Sequence, residues 1–412
     1  MASPTVLISG AGIAGPGLAL WLTRNGFRVV IVESAPDIRP GGQTVDLRGA
    51  GADVVERMGL LAEMKDRALF QRGIAWVRAD GTRRAEMPVT AFDGNGLVSK
   101  LEILRGDLVD VLYQATKNSC EYRFGTRVTA LAEDAGGVDV TFSDGSEMRA
   151  DLVVGADGPH SAVRRLAFGP EEEYVSPLGG YNAWFSAPDT AGLDGWYLLY
   201  QAAGGLNASM RPSHDPDMVK ASLSFQSAPI DYDRRDLDAQ RRILRERFTG
   251  AGWQCDALLD AADRADDFYF DSFAQVKMPA WSSGRMTLVG DAGYCASPLS
   301  GMGTSLALVG GYLLAGELGP AGDSLSPQRI NLALGRYGKL MRPYVERCQR
   351  LNNTLDRYAP MSEKDIADNA WAMKWMQRWP FRLIAGPLWF RTAESITLPD
   401  YTRADASPGV TA

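Results

Sequence analysis

Gly10-Ala-Gly12-Ile-Ala14-Gly15 sets three glycines in six positions, and Glu33 with Ser34 closes the apolar run that follows. Each glycine answers a different physical need. Gly10 takes a backbone conformation that L side chains avoid, Gly12 leaves room for phosphate oxygens to approach the chain, and Gly15 allows a helix to pack closely on a strand. Orphan amides at the start of that helix, which includes Ala14, face a pyrophosphate. A carboxylate at Glu33 accepts hydrogen bonds from a ribose and disfavours a phosphate there. This is dinucleotide chemistry, and the segment alone leaves NAD and FAD both open.

The elements that must position these groups are readable around them. Thr5 to Ser9 is a short apolar strand, Leu18, Ala19 and Leu22 recur at helical spacing, and Phe27 to Val32 is a second buried strand. Thr5 to Leu22 carries no charge over 18 positions, but it holds four glycines and Pro16, and Met1-Ala-Ser-Pro4 has no basic side chain. A spanning helix and a signal peptide are therefore not expected. The 412 residues are 45% hydrophobic and 23% charged, enough for two or three cores. Lys and Arg number 43 against 50 Asp and Glu, a net charge of -7 that offers no basic field to nucleic acid. Four scattered cysteines without a CxxC, and two histidines, give no metal site and no disulfide framework, so a cytoplasmic location is expected.

Two later segments repeat the pattern of a strand running into an acid and a tight turn. One is Asp151-Leu-Val-Val-Gly155-Ala-Asp157-Gly158-Pro-His-Ser161-Ala-Val-Arg164. The other is Met286-Thr-Leu-Val-Gly290-Asp291-Ala292, followed by Pro298-Leu299-Ser-Gly301-Met-Gly303-Thr304-Ser305 and an apolar helix to about Leu318. In this order the three motifs resemble the FAD-dependent class A aromatic monooxygenases of the para-hydroxybenzoate hydroxylase superfamily, most closely the branch of tetracycline-inactivating monooxygenases. The resemblance spans roughly residues 1 to 355. It implies that Gly290 and Asp291 meet the ribityl chain of FAD, with Pro298, Gly301, Gly303 and Thr304 along the isoalloxazine edge. Asp157, Gly158 and Arg164 belong to a motif tied to FAD pyrophosphate and nicotinamide binding, and Arg105 falls where the family places an arginine against FAD. Gly41-Gly42-Gln-Thr-Val-Asp46-Leu-Arg48 matches the segment beside the flavin ring, so Asp46 and Arg48 are expected to shape the active site. Gly293-Tyr294 stands where many relatives have Ala-His, and Thr304-Ser305 where an asparagine is common, so no acid or base is carried over at those positions.

The implied fold is α/β: a Rossmann-like FAD-binding domain of the GR2 type, an interleaved antiparallel-sheet substrate domain and a long C-terminal helix. The expected division gives 1–72, 99–175 and 271–325 to the FAD domain and 73–98 and 176–270 to the substrate domain. Residues 326–403 form a helical C-terminal region and 404–412 a disordered tail. The implied activity uses NADPH or NADH and O2 to hydroxylate a hydrophobic aromatic or polyketide-like small molecule through a flavin C4a-hydroperoxide. A flavin dehydrogenase without oxygen transfer, and a flavin-retaining binding protein, stay open as alternatives. The chain has no Trp-x-Trp-x-Ile-Pro segment of the related halogenases and no second GxGxxG unit to hold the nicotinamide nucleotide. A monomer or homodimer without stable membrane insertion is expected.

Between Glu171 and Asp271 short aromatic strands alternate with turns, as at Tyr181 to Phe185, Trp196 to Tyr200, Leu206 to Arg211 and Lys220 to Phe225. One face of this sheet should wall a substrate cavity, with Met210, Phe225, Pro298 and Leu299 as its contacts. After a helix start at Ser326-Pro327, an apolar stripe from Ile330 to Tyr358 predicts one helix of about 29 residues, kinked at Pro343. Trp371, Trp375 and Trp379 follow at one-turn spacing beside Lys374, Arg378 and Arg382 and read as a docking face.

Overall fold

The computed structural model describes residues 3–38, 41–94, 97–99, 101–322, 324–350, 355–378 and 396–401. Strand Thr5–Ser9 pairs in parallel with Arg28–Glu33 on one side and Leu152–Gly155 on the other. Parallel neighbours Glu121–Phe124 and Met286–Leu288, with the antiparallel edge Ser282–Ser283, complete a six-stranded sheet. Helices cover its faces, which explains why its central strands read as unbroken apolar runs. Helix Gly303–Leu318 is buried along nearly its whole length and lies against helix Ala14–Arg24, the helix that follows the first glycine turn.

The second layer is a seven-stranded sheet in the order Tyr269–Val276, Val175–Pro188, Met218–Gln226, Leu206–Pro212, Trp196–Ala202, Gly73–Val77 and Arg83–Pro88. All its pairings are antiparallel except Trp196–Ala202 with Gly73–Val77. Helices Leu237–Phe248 and Cys255–Arg264 cover one face; Asp236 caps the first, its carboxylate accepting from the Ala239 amide. A two-stranded ladder, Thr44–Asp46 with Glu102–Leu104, lies where the two large sheets approach.

The expected 29-residue helix is shorter: it runs Pro327–Gln349, 23 residues, continuing through Pro343, and Leu355–Tyr358 is a separate turn of helix. That turn is captured by the seven-stranded sheet. The Gln201 and Asn207 amides donate to the Tyr358 carbonyl, and Gln226 donates to that of Ala359 at 2.7 Å. Helix Glu363–Met376 leaves Trp371 exposed and tilted at 43° to Trp375, with ring centroids 5.5 Å apart. Trp379, Arg382 and the 404–412 tail lie outside the described residues. Among the described residues no helix is long and apolar enough to cross a membrane.

Candidate active site

The glycine turn is built by exclusion of side chains. A Cβ on Gly10, whose φ is +109°, would sit 2.4 Å from the Ala156 carbonyl oxygen, and one on Gly15 would sit 2.0 Å from that of Gly10. A Cβ on Gly12 would instead point toward the Arg105 guanidinium at 3.4 Å, and Gly42 faces the aliphatic stem of Arg105. Glu33 accepts from the Ala11 amide at 2.9 Å and the Ser34 hydroxyl at 3.0 Å, which fixes the carboxylate at the end of its strand. Gly290, at φ +67°, brings its backbone against Ala14; a Cβ there would stand 3.0 Å from that of Ala14.

Asp291 follows at the start of a short helix, within 3.9 Å of where a Gly303 Cβ would be. Burial raises its carboxyl above the ordinary range, against the opposing pull of Cys295 and Arg105. A buried acceptor beside a backbone-lined gap suits a hydroxyl-bearing ligand chain. Gly12 and Gly42 border Arg105, and Gly303 borders Asp291, each with only that side chain within 4 Å of an added Cβ, so open backbone, a guanidinium and a buried carboxyl converge on one cradle, and this fits FAD. Pro298–Ser300 forms a single 3-10 turn and Gly301 its left-handed end, at the lip of this cradle. Thr304 and Ser305 are buried in the first turn of the following helix. Ser305 packs so tightly on Gly51 that a Cβ there would lie 2.6 Å from its Oγ, which pins the loop bearing Arg48 beside that helix start.

The middle motif is bound into the protein. The Asp157 carboxylate accepts from the Ser9 hydroxyl at 3.1 Å and the Ala162 amide at 2.9 Å, and from Ser161 as well. Gly158 forms the left-handed step of an open turn at φ +81°. The expected cofactor contact of Arg164 is corrected: its side chain is 0% exposed, and it donates to the Ala292 carbonyl at 3.0 Å and to Pro159 at 2.5 Å. It braces the second motif against the third from inside. Next to it His160 lies between Glu171 at 2.9 Å and Asp271 at 3.0 Å. Burial would lower the imidazole pKa, but hydrogen bonds and charge from both carboxylates lift it to about 9.

A second cluster sits beneath the seven-stranded sheet. Arg48 and Asp46 pair at 2.6 Å, each with 17% of its side chain exposed. Arg211 reaches Glu102 at 3.3 Å and donates to Thr44 Oγ1 at 2.7 Å, while its guanidinium lies 3.9 Å over the Tyr197 ring. Gln71 donates to Glu102, whose residue is 1% exposed. Burial, the largest influence, pushes the Glu102 carboxyl up to about 8, Arg211 pulls it down, and the Asp46 charge adds to the rise. Asp46 is held below the usual carboxylate range, because Arg48, Arg211 and a hydrogen bond with Glu102 outweigh its burial. One carboxyl is therefore neutral and the other ionised at neutral pH.

The sheet face above this cluster is polar. Ser209 and Ser222 hydrogen-bond across the ladder at 2.7 Å, Ser224 bonds Asn182, and the Tyr358 hydroxyl lies beside Ser224 and Ser222. Met210 and Phe225, expected as substrate contacts, occupy the opposite face. Both are 0% exposed in the core under the covering helices, where Phe225 stacks on Tyr181 at 5.5 Å and meets Phe248 at 6.3 Å. Leu299, by contrast, is half-buried and packs against the cluster of Phe273, Leu355 and Ala359, which Tyr358 also borders. Sequence reading missed Glu102, Arg211, Tyr197, the serines and Tyr358. A signal existed in the strict alternation Ala208-Ser209-Met210-Arg211 and Ala221-Ser222-Leu223-Ser224-Phe225, which separates a polar from an apolar face. Tyr294 is 0% exposed and bonds the Tyr337 hydroxyl at 3.0 Å, in space that only a glycine at 310 leaves open.

Residues 3–322 match the FAD binding domain family. A flavin-dependent monooxygenase of Legionella longbeachae is 38% identical over 84% of this chain and 87% of its own length. An uncharacterised protein of Mycobacterium tuberculosis is 42% identical over 88% and 96%. The crystal structure of the tetracycline destructase Tet(51) superposes with a TM-score of 0.80 at 33% identity, covering 97% of this chain and 100% of that one.

Proposed function

The chain belongs to the FAD binding domain family as a flavoprotein monooxygenase, and from that premise we propose that it takes electrons from NADPH or NADH and hydroxylates an oxygen-bearing fused aromatic or polyketide-like molecule. Bound FAD supplies hydride acceptance and oxygen activation. Holding it falls to Gly10, Gly12, Gly15 and Glu33 at the nucleotide end, and to Arg105, Asp291 and Gly303 nearer the ring. The helix beginning at Gly303 directs its first amides and dipole at that end, a stabilisation of about 0.3–2 kcal/mol for negative charge.

The observation that carries the substrate reading is the accessible polar group beneath the seven-stranded sheet, Arg211 with 27% of its side chain exposed and the Asp46–Arg48 pair with 17% each, together with the half-buried apolar Leu299. Such a surface suits a flat apolar skeleton with several oxygen substituents better than a bare hydrocarbon ring. The likeness to a tetracycline destructase over nearly the full chain supports a ligand of polycyclic size. The test is single-turnover oxidation of the reduced holoenzyme under labelled oxygen with a panel of phenols, fused aromatics and polycyclic polyketides. Incorporation of one labelled atom into product is expected. Turnover without label indicates a dehydrogenase, and ligand-shifted flavin spectra without stimulated NAD(P)H oxidation indicate a binding protein; either result overturns the proposal.

A further inference from the structure

Helix Ala14–Arg24 follows the first glycine turn and helix Gly303–Leu318 starts beside Asp291, so both begin at the cradle. They run side by side from there. A Cβ on Gly17 would meet Leu308 at 3.4 Å, one on Gly311 would meet Leu18 at 3.1 Å, and the Asn25 side-chain amide donates to the Ala315 carbonyl at 2.9 Å. Helix Ala50–Met58 joins the pair, with Gly51 against Ser305 at its start and Arg57 donating to the Tyr312 hydroxyl at 2.6 Å near its end. The 16 residues of Gly303–Leu318 carry the chain about 24 Å from the cradle.

At that distance residues 396–401 are seated across the helix ends. The Pro399 carbonyl accepts from Arg57 at 2.8 Å and from the Tyr312 hydroxyl at 2.6 Å, while Tyr312 meets Trp21 of the first helix edge-on at 5.1 Å. The Tyr401 ring fills the space left by Gly316, where a Cβ would stand 2.1 Å from it, and its hydroxyl donates to Glu317 at 2.6 Å. Arg336 holds the other oxygen of Glu317, also at 2.6 Å. Ile396 and Leu398 pack on the same core.

We infer that segment 396–401 is a strap that aligns the helix starts for FAD, with Tyr401 and Arg57 as positioning residues acting from the far ends. A helix is stiff along its axis, so fixing where one end sits fixes where its first amides point. The glycine contacts between the first two helices leave them little room to slide, and the strap closes the remaining freedom at their ends. Coupling of this kind is reciprocal: the factor by which the docked strap raises FAD affinity is the factor by which bound FAD tightens the strap. It depends on FAD binding alone and not on the choice of substrate.

The FAD-loaded parent, Tyr401→Ala and Tyr401→Phe are compared for the rate of FAD release, followed by recovery of flavin fluorescence on dilution. Tyr401→Ala loses both ring and hydrogen bond and is expected to release FAD about tenfold faster, inside the range for coupled sites. Tyr401→Phe keeps the ring against Gly316 and should fall between it and the parent. Phe225→Ala is the control: it lowers stability in the core of the seven-stranded sheet and should release FAD as slowly as the parent. In the parent, FAD binding should slow hydrogen exchange at the amides of 396–401 more than at those of helix Leu237–Phe248. General stabilisation would slow both alike, and this comparison can be made even if Tyr401→Ala fails to fold. Unchanged release in Tyr401→Ala, equally fast release in Phe225→Ala, or equal slowing of exchange in the two segments each overturns the strap. Labelled-oxygen incorporation is measured separately, so an enzyme that fails these tests keeps its oxygenase reading.

Discussion

Around the cofactor cradle the decisive feature is what the chain lacks, and on the seven-stranded sheet it is which way each side chain points. Gly10 and Gly15 let backbone approach backbone, Gly12 leaves its side open toward Arg105 and Gly290 lies close against Ala14, and no rearrangement of neighbours could admit a side chain at Gly15, 2.0 Å from a carbonyl. On the sheet the same backbone carries Met210 into an apolar core and Arg211 into the polar cluster with Glu102, one residue apart. A cradle made of backbone tolerates almost no substitution, whereas a sheet separates stability from function between its two faces. This contrast can be broken or sharpened by experiment.

The largest effect belongs to the cradle. Gly15→Ala forces the helix off the first strand and is expected to give protein that is insoluble or free of flavin. Asp291→Ala should fold with unchanged far-ultraviolet dichroism and purify pale, because the carboxylate proposed to hold the cofactor is removed while the short helix it starts is kept. A yellow, fully loaded Asp291→Ala protein would break the assignment of that carboxylate to the cofactor.

On the sheet the two faces should respond in opposite ways. Phe225→Ala opens a cavity among Tyr181, Phe248 and Phe270 and is expected to destabilise by about 3–5 kcal/mol, seen as a lower denaturant midpoint, with KM unchanged. Arg211→Gln should leave FAD content intact and raise KM roughly ten- to hundredfold, the weight of about 1.5–3 kcal/mol for a charged hydrogen bond. A shift of KM in Phe225→Ala with none in Arg211→Gln would mean that the apolar face, not the polar one, meets substrate.

The same contrast explains how much of the molecule is legible in the sequence. The cradle is legible because a requirement on the backbone can be met only by glycine, so Gly10, Gly12 and Gly15 spell it out, and strands Thr5–Ser9 and Arg28–Glu33 lie where the apolar runs put them. On the sheet, alternation divides residues into two sets, but nothing local says which set meets helices and which meets ligand. Choosing the apolar set places Met210 and Phe225 in the site, although Leu244 and Phe248 from a later helix are what cover them. Arg164 is misplaced for a related reason: a basic residue in a cofactor motif suggests a phosphate, yet its partners are the carbonyls of Pro159 and of distant Ala292 and the carboxylate of Glu171. Glu102 gives one hint, a single acid within an apolar strand, but its meaning depends on Arg211, 109 residues away.

The smallest expected effect lies at the seam between the two regions. His160 comes from the cradle's middle motif, Glu171 from the turn after it, Asp271 from the sheet's edge strand, and Arg234 also reaches Glu171 at 2.9 Å. The imidazole is raised from an ordinary 6.5 to about 9, so its contribution to folding is complete below about 6.5 and disappears as pH rises through about 9. Glu171 is lowered from 4.5 to about 2 despite its partial burial, by the His160 hydrogen bond and charge and by Arg234, so its share is present above about 4.5 and is lost as pH falls through about 2. Stability from this seam is therefore greatest between about 4.5 and 6.5. His160→Gln cannot carry the charge and should flatten the alkaline decline in melting temperature, a difference on the order of 2 °C once solvent screening is allowed for. An identical decline in parent and variant would show that the two regions are joined there by shape alone and that the charge on His160 contributes nothing to their union.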